Sequence, residues 1–387
     1  MRYLILTDCF YPENKSASRH IYDLSMELTK KKNQVSIFCR KNNNKKLNLI
    51  LPKNISVHFI KIINIKNLPF ILRGLVELFM PFLFYKEIKK KIDSVDNIII
   101  YSPSIFFGLI FKNLKKRFNC KIILLLRDIF PDWAKQIGIF HNFSVYYYFL
   151  KFIANFQYQN SDVACLQSKK DLKIISKFYN FKKKKIILYN WIYKKNIYKL
   201  KNNIQKIKKF KVVFGGTIGP VQNWNNIIYL IKASHEKKLG VIFYFVGDGY
   251  FKNKLKKEIN KYNLRNVRFY KSMTEEKFLS FLKYCDMGIL SLNKKILFDN
   301  FPGKFFSYLE ANIPILADIN KNHELSKIIK KYNLGKISDP ENQIDLLNNL
   351  KKTMKHKYNQ KALRKNYTKI YKKMFSAKEA CKKISNC

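Results

Sequence analysis

Glycine and arginine are both scarce in this chain: 12 glycines in 387 residues, and only 9 arginines among 76 basic residues. A nucleic-acid readout surface concentrates its positive charge, usually with arginine in it, whereas the lysines here are scattered along the whole length. Lysine rises together with asparagine, isoleucine, phenylalanine and tyrosine as glycine falls, the joint bias expected of an AT-rich genome. Most of the formal charge of +50 is therefore assigned to codon drift, although such a field still attracts anionic lipid surfaces and phosphorylated substrates. The seven cysteines form no C-x-x-C pair, and several lie in apolar runs such as Ile37-Phe-Cys39. They read as buried thiols of a reducing cytoplasm. Met1-Arg-Tyr-Leu-Ile-Leu-Thr7 is too short for a signal peptide and reads as a first buried strand, so the protein is expected to stay inside the cell. The longest apolar stretch, Leu68–Tyr85, carries Arg73, Glu77 and Pro81, and each central charge costs about 2.5–3.5 kcal/mol on insertion scales. That cost argues against a spanning helix. An interfacial helix ending in Lys86-Glu-Ile-Lys-Lys-Lys91, or a helix packed on the first sheet, remain as readings.

What is present is enough apolar material, 47% hydrophobic with 15% aromatic, for two folded domains. Strand-like runs at Tyr3–Thr7, Val35–Cys39, Asn97–Tyr101 and Lys121–Leu126 alternate with helical patterns at Ser18–Lys30 and Ile105–Lys116. This is the rhythm of an α/β doubly wound parallel sheet. It breaks in a Lys/Asn-rich run and restarts at Lys211-Val-Val-Phe-Gly215, with later strands at Val241–Val246, Val267–Tyr270, Gly288–Leu292 and Ile313–Ala317. The spacing predicts a first Rossmann-like domain over 1–195, a linker over 196–209, a second domain over 210–365, and a helix over 366–387 that crosses back. Two such domains leave a cleft at the carboxyl ends of their strands. Tyr146–Tyr158 is expected to be another core helix.

Four segments could hold a ligand. Phe301-Pro-Gly-Lys-Phe-Phe-Ser-Tyr-Leu-Glu-Ala-Asn-Ile-Pro-Ile-Leu-Ala317 sets a polar turn and a helix start before an apolar strand. Pro302 and Gly303 suit a first helical turn whose N–H groups and positive dipole end attract an anion, and Lys304 adds a mobile charge. A nucleotide diphosphate would fit, though an ordinary connection with a solvated lysine has the same spacing. Phe214-Gly-Gly-Thr-Ile-Gly-Pro-Val-Gln-Asn-Trp224 follows a strand, so its glycines let backbone N–H groups approach a ligand. Val246-Gly-Asp-Gly249 turns at the same sheet edge, and Ser272 and Met273 end a third strand where a base could lie.

Taken in order, these segments resemble the retaining family 4 glycosyltransferases of the two-domain GT-B fold over nearly the whole chain. Tyr11-Pro12 with Ala17-Ser-Arg19 is similar to the family's first loop, Leu126-Arg-Asp-Ile-Phe-Pro-Asp-Trp133 to its Arg-Asp-aromatic-Pro segment, and Leu188-Tyr-Asn-Trp191 to its Pro-Asn-Trp. The closest variants are bacterial enzymes that extend lipid-linked O-antigen or capsule repeats with amino-deoxy sugars. The resemblance implies a nucleotide-sugar donor, a lipid-linked saccharide acceptor and an anionic inner-membrane surface as partners, with no nucleic acid. It implies no cofactor or metal, and no Asp-x-Asp stands at a strand end to hold one. Transfer would retain the anomeric configuration, the leaving diphosphate helping to deprotonate the acceptor. Fixed N–H groups, a helix N-terminus and Lys304 would stabilise that diphosphate.

Site candidates carried by the resemblance are Arg127 and Asp128, which would contact the sugar or acceptor, and Lys304. Donor contacts would come from Gly216, Thr217, Gln222, Asn223, Gly247, Asp248, Gly249, Ser272, Met273 and Gly303. Departures from the pattern are specific. The usual Glu-x7-Glu pair falls on Asp299 and Ser307, with Glu310 one helical turn further on. The first-domain Gly-Gly becomes Asn14-Lys15-Ser16, and Thr217 with Gln222-Asn223 replaces a basic pair. A structural salt bridge at Arg127–Asp128, a polyanion or nucleic-acid binder, a GT-B sugar-nucleotide epimerase and an inactive homologue are the alternatives.

Overall fold

The computed structural model describes residues 1–387 apart from 14, 42–48, 64–69, 103, 142, 193–202, 300 and 356–357. It divides into two compact units, Met1–Tyr193 with Phe375–Cys387, and Lys194–Met374.

In the first unit, β1 (Arg2–Thr7), β2 (Gln34–Lys41), β3 (Ile55–Lys61), β4 (Asn97–Tyr101), β5 (Lys121–Leu125), β6 (Val163–Leu166) and β7 (Lys184–Ile187) form one sheet in the order β3-β2-β1-β4-β5-β6-β7. Every pairing is parallel. Runs such as Ile98-Ile-Ile100 are apolar at consecutive positions because helices cover both faces. The helices are α1 (Ser16–Thr29), α2 (Phe70–Lys91), α3 (Phe111–Phe118), α4 (Asp132–Gln136), α5 (Val145–Asn160) and α6 (Lys169–Phe178). Ser144 and Ser168 cap α5 and α6 by accepting from the N–H of Tyr147 (3.2 Å) and Asp171 (3.0 Å).

Two expectations change here. The helix expected over Ile105–Lys116 is split into a 3-10 turn at Phe107–Ile110 followed by α3. Gly108 is the reason: a Cβ there would lie 2.5 Å from the Cα of Gln157, and its N–H donates to Gln157 Oε1 at 3.0 Å, so α5 presses directly on the turn. The segment Tyr146–Tyr158 is a core helix on one face only. Tyr147, Leu150, Ile153, Ala154 and Tyr158 are buried, whereas Val145, Tyr148, Phe149 and Phe152 are exposed.

In the second unit, β8 (Phe210–Gly215), β9 (Val241–Val246), β10 (Val267–Tyr270), β11 (Met287–Ser291), β12 (Ile315–Asp318) and β13 (Gly335–Ser338) run parallel in the order β10-β9-β8-β11-β12-β13. Between and after them come α7 (Trp224–Glu236), α8 (Lys252–Lys261), α9 (Glu275–Leu282), α10 (Gly303–Ala311), α11 (Glu324–Lys331), α12 (Gln343–Lys355) and α13 (Gln360–Ile370). Phe214, Phe243, Phe245, Ile289 and Leu316 from the sheet meet Ile227, Leu230 and Ile231 of α7 and Leu346 and Leu350 of α12 in one core cluster.

The last helix, α14 (Ala377–Ser385), belongs to the first unit. Ser376 caps it, and Ala377, Ala380, Cys381 and Ile384 enter the cluster of Ile5, Leu24, Leu28, Ile37 and Trp191. Residues 196–202 of the expected linker lie outside the described residues.

Candidate active site

The sheet of the second unit places its loops at one edge. Gly216 N–H donates to Val246 O (2.9 Å), Ile218 N–H to Asp248 O (2.9 Å) and Phe251 N–H to Ile218 O (3.0 Å), so the loops after β8 and β9 are laced backbone to backbone. Glycine is required for that approach. Gly247, at φ +155°, would put a Cβ 2.0 Å from Gly216 O, and Gly249, at φ +152°, would put one 2.4 Å from Ile218 O. Gly216 itself, at φ +102°, is exposed beside Thr217.

Gln222 and Asn223 are engaged in holding this loop. Gln222 Oε1 accepts from Gly219 N–H at 3.0 Å, Asn223 N–H donates to Ser291 Oγ at 3.1 Å, and Asn223 Nδ2 donates to Pro340 O at 3.3 Å. Behind Ser291 lies Asp318, fully buried, which accepts from Ser291 Oγ (2.8 Å) and Asn226 Nδ2 (3.0 Å). Burial raises its carboxyl to a pKa of about 6 against those two bonds. Asp248 is exposed; it accepts from Gly249 N–H and lies 3.5 Å from Lys252 Nζ, which together lower its pKa. Ser272 and Met273 follow β10, with Ser272 exposed.

Helix α10 starts beside these loops. Pro302 is its N-cap and Gly303 its first residue, with no acidic side chain in the first turn. The Lys304 ammonium is buried, has no hydrogen-bond partner, and stands 3.4 Å above the ring centroid of Phe214. A cation over an aromatic face gains some attraction, but it does not replace lost water, and desolvation lowers this lysine to a pKa of about 7. A Cβ on Gly216 would lie 3.9 Å from Lys304 Cε, so the side chain runs directly behind the glycine loop.

The rest of α10 is anchored by Tyr308, whose hydroxyl accepts from Gly215 N–H (3.2 Å) and lies 3.1 Å from both Val213 O and Ile289 O. Its ring occupies the space a side chain at Gly288 would need, 2.5 Å from that hypothetical Cβ. Ser307 and Glu310 follow Lys304 at three-residue steps on the half-buried side of the helix. Asp299 is 2% exposed, with its carboxylate 3.7 Å from His323 Nε2. His323 Nδ1 accepts from Leu325 N–H, capping α11 and leaving Nε2 as the side that carries a proton toward Asp299.

In the first unit, Arg127 and Asp128 follow β5. The Arg127 guanidinium points inward: Nη1 donates to Leu188 O at 2.6 Å, and its carbon lies 5.0 Å from the Trp191 ring and 5.8 Å from the Tyr101 ring. His20 Nδ1 meets Tyr101 Oη at 2.8 Å, and Trp191 Nε1 donates to His20 O at 2.9 Å. Burial, with Arg127 and Arg19 nearby, holds the His20 ring neutral. Asp128 is half-buried, and desolvation raises its carboxyl despite the opposing charge of Arg127. Lys15 is the exposed N-cap of α1, paired with Glu13 at 2.8 Å, and Ser16 opens that helix. Asn14 lies outside the described residues.

Gly216, Thr217, Gly247, Gly249, Gly303 and Lys304 are thus brought together in one unit, with Gln222 and Asn223 supporting them. Sequence reasoning missed Phe214 as the seat of Lys304, Tyr308 as the anchor, and His323 and Asp318. An aromatic before a glycine pair is also an ordinary strand end, so no pattern marked these. Among the described residues, no group of three or more His, Cys, Asp or Glu side chains could hold a metal ion.

Two parallel sheets with a ligand-ready edge in the second unit define a GT-B protein, and the comparisons agree. Residues 196–373 match the model of the glycosyl transferases group 1 family. The probable glycosyltransferase WbjE of Pseudomonas aeruginosa is 24% identical over 281 residues, 71% of this chain and 70% of the relative. WaaG, a glycosyltransferase involved in lipopolysaccharide biosynthesis, superposes with a TM-score of 0.70 at 12% identity, covering 99% of this chain and 98% of its own. Anabaena Alr3699/HepE, solved in complex with UDP, gives 0.69 at 15% identity, covering 100% and 99%. Residues 196–373 therefore carry a glycosyl transferases group 1 domain, and the chain has the GT-B fold.

Proposed function

We propose that this enzyme transfers a hexose-type sugar, with retention of configuration, from a nucleoside-diphosphate donor to a lipid-linked saccharide in surface polysaccharide (O-antigen or capsule) synthesis. The buried, unpartnered Lys304 ammonium at the start of α10 carries the donor part of this reading. A buried ammonium with no protein acceptor suits an anionic ligand, and the N-terminus of its own helix favours one too. The diphosphate is the anion that fits. As the bond between sugar and phosphate breaks, negative charge grows on the leaving oxygen, where Lys304 and the helix dipole stabilise it. The departing phosphate takes the acceptor proton, so no protein nucleophile is used. No resident cofactor is part of this scheme.

The loops after β8 and β9 supply close backbone around the donor, and Ser272 and Met273 lie where the base would rest. Ser307 and Glu310 offer a hydroxyl and a carboxylate toward the ribose from successive turns of α10. Asp299 acts through His323. In the first unit, Asp128 is assigned to the acceptor and Arg127 to positioning it. The UDP complex of HepE supports a uridine donor, and the lipopolysaccharide biosynthesis named for WaaG supports a membrane-borne acceptor. The enzyme then works at the inner face of a bacterial plasma membrane, held there peripherally.

A thermal-shift screen against UDP, GDP, dTDP and their sugar conjugates tests the donor site. One nucleotide is expected to stabilise the protein, and Lys304→Ala to abolish the shift. An equal response to polyphosphate with none to nucleotides would instead mark a generic polyanion binder.

A further inference from the structure

Helices α2 and α5 each have two apolar faces. On α5 the inner face packs through Leu150, Ile153 and Tyr158, as expected of a surface helix. The outward face, where polar residues belong, carries Val145, Tyr148, Phe149 and Phe152, the last 66% exposed, and Phe143 just before it is 92% exposed. On α2, Met80, Phe84 and Ile88 are buried, while Leu72, Leu75, Phe79, Phe82 and Leu83 stand outward, with Phe79 61% exposed. The two helices are neighbours. A Cβ on Gly74 of α2 would meet Tyr146 Oη of α5 at 3.2 Å, and both helices lean on the same 3-10 turn, α2 through Phe84 against Phe107 and α5 through Gln157 against Gly108.

We infer that these neighbouring stripes are a bilayer-docking surface: the phenylalanines and leucines enter the acyl boundary of one leaflet while lysines meet anionic head groups. Clustered exposed apolar side chains on neighbouring helices mark an interaction site, and charge decides which partner. Lys86, Lys89, Lys90 and Lys91 close α2 as exposed residues, and although Lys90 and Lys91 share Glu87 at 3.7 and 3.3 Å, the helix end keeps a net positive charge. Half-buried Lys135 lies 5.5 Å from the ring centroid of outward-facing Tyr148. A second copy of this chain would bring the same lysines face to face, whereas an anionic leaflet neutralises them. Aromatic rings with lysines at their margins are what an in-plane interfacial helix presents. No helix among the described residues is long and apolar enough to cross a membrane, which agrees with lying on the surface. The inference deepens the reading of a membrane-borne acceptor and rests on it for the choice of leaflet.

The test is co-sedimentation of the full chain with phosphatidylglycerol vesicles and with phosphatidylcholine vesicles, at low and high salt. Phe149→Glu/Phe152→Glu and Phe79→Glu are compared with wild type, and a Phe149→Trp protein reports depth by quenching from brominated lipids. Wild type is expected to bind the anionic vesicles and to keep a substantial part of that binding at high salt. The charge variants are expected to lose at least tenfold in partition at high salt, and the new tryptophan to be quenched. Each variant is checked for an unchanged circular-dichroism spectrum and an unchanged thermal response to nucleotide. That check separates failure of this surface from failure of the donor-site reading. Equal partition of wild type and variants, or a tryptophan untouched by bromolipid, overturns the proposal. So does a wild-type dimer in solution that the same variants turn into monomers.

Discussion

If a diphosphate binds beside Lys304, binding must carry a proton with it. In the ligand-free enzyme this lysine titrates at about 7 because its ammonium is desolvated without a partner. A bound phosphate supplies the missing counter-charge and moves the group back toward an ordinary lysine. Only the protonated fraction then binds tightly. That fraction falls from roughly 0.24 at about pH 7.5 to roughly 0.01 at about pH 9, so affinity should drop about 25-fold, or ~1.9 kcal/mol. A lysine at its usual value would change by only a few per cent over this range. Isothermal titration calorimetry in buffers of different ionisation enthalpy should show an uptake of about 0.8 proton per nucleotide at the lower pH. In Lys304→Met both the proton uptake and the steep pH dependence should vanish. The sign for stability is opposite. A lysine whose folded pKa is depressed penalises the native state at low pH, and the penalty is relieved as pH rises from about 7 toward the unfolded value near 10.5. The free enzyme should therefore grow more resistant to urea over that window, whereas Lys304→Met should not. Affinity flat from pH 7.5 to 9 with no buffer-dependent heat would refute the reasoning.

Other consequences can be checked separately. Asp318 has a folded pKa raised from 3.8 to about 6, so its contribution is complete at acid pH and is lost as pH rises through about 6. The loss amounts to on the order of 3 kcal/mol by neutrality, and Asp318→Asn should flatten that part of the urea-stability profile. Removing the Tyr308 hydroxyl, as in Tyr308→Phe, leaves buried Gly215 N–H unanswered and should cost about 1–3 kcal/mol in denaturant unfolding. Gly288→Ala drives a methyl into the same ring and should cost about as much; a wild-type midpoint would contradict the anchor role. Gly247→Ala must part the loops after β8 and β9, so nucleotide affinity by calorimetry should fall tenfold or more, about 1.4 kcal/mol. Unchanged affinity would remove those loops from the donor site.

The fold was legible because parallel strands buried on both faces leave long apolar runs: Asn97–Tyr101, Val241–Val246 and Val267–Tyr270 have the bounds their patterns suggest. Short edge strands such as Lys184–Ile187 and Gly335–Ser338 carry lysine or glycine and left no such trace. At the site, the backbone-led features were readable, since glycine before a turn and proline at a helix start have local causes. Side-chain partnerships were not. Nothing in Phe301–Ala317 says that Lys304 will rest on Phe214, ninety residues earlier, or that Asp299 will face a histidine that caps another helix. Helix α5 shows the limit from the other side, because a sequence apolar all round reads as core even when one face stays exposed.

The return of Phe375–Cys387 to the first unit orders events in time. Ribosomes deliver Met1–Tyr193 first, yet α1 and Trp191 wait for Ala377, Ala380, Cys381 and Ile384 to complete their layer. The second unit is made in between and holds all of its own strands, so it can finish folding while its predecessor is still open. The first-made half is then the last to close, and a released chain truncated shortly before Phe375 would carry a folded second unit and an unsealed first sheet.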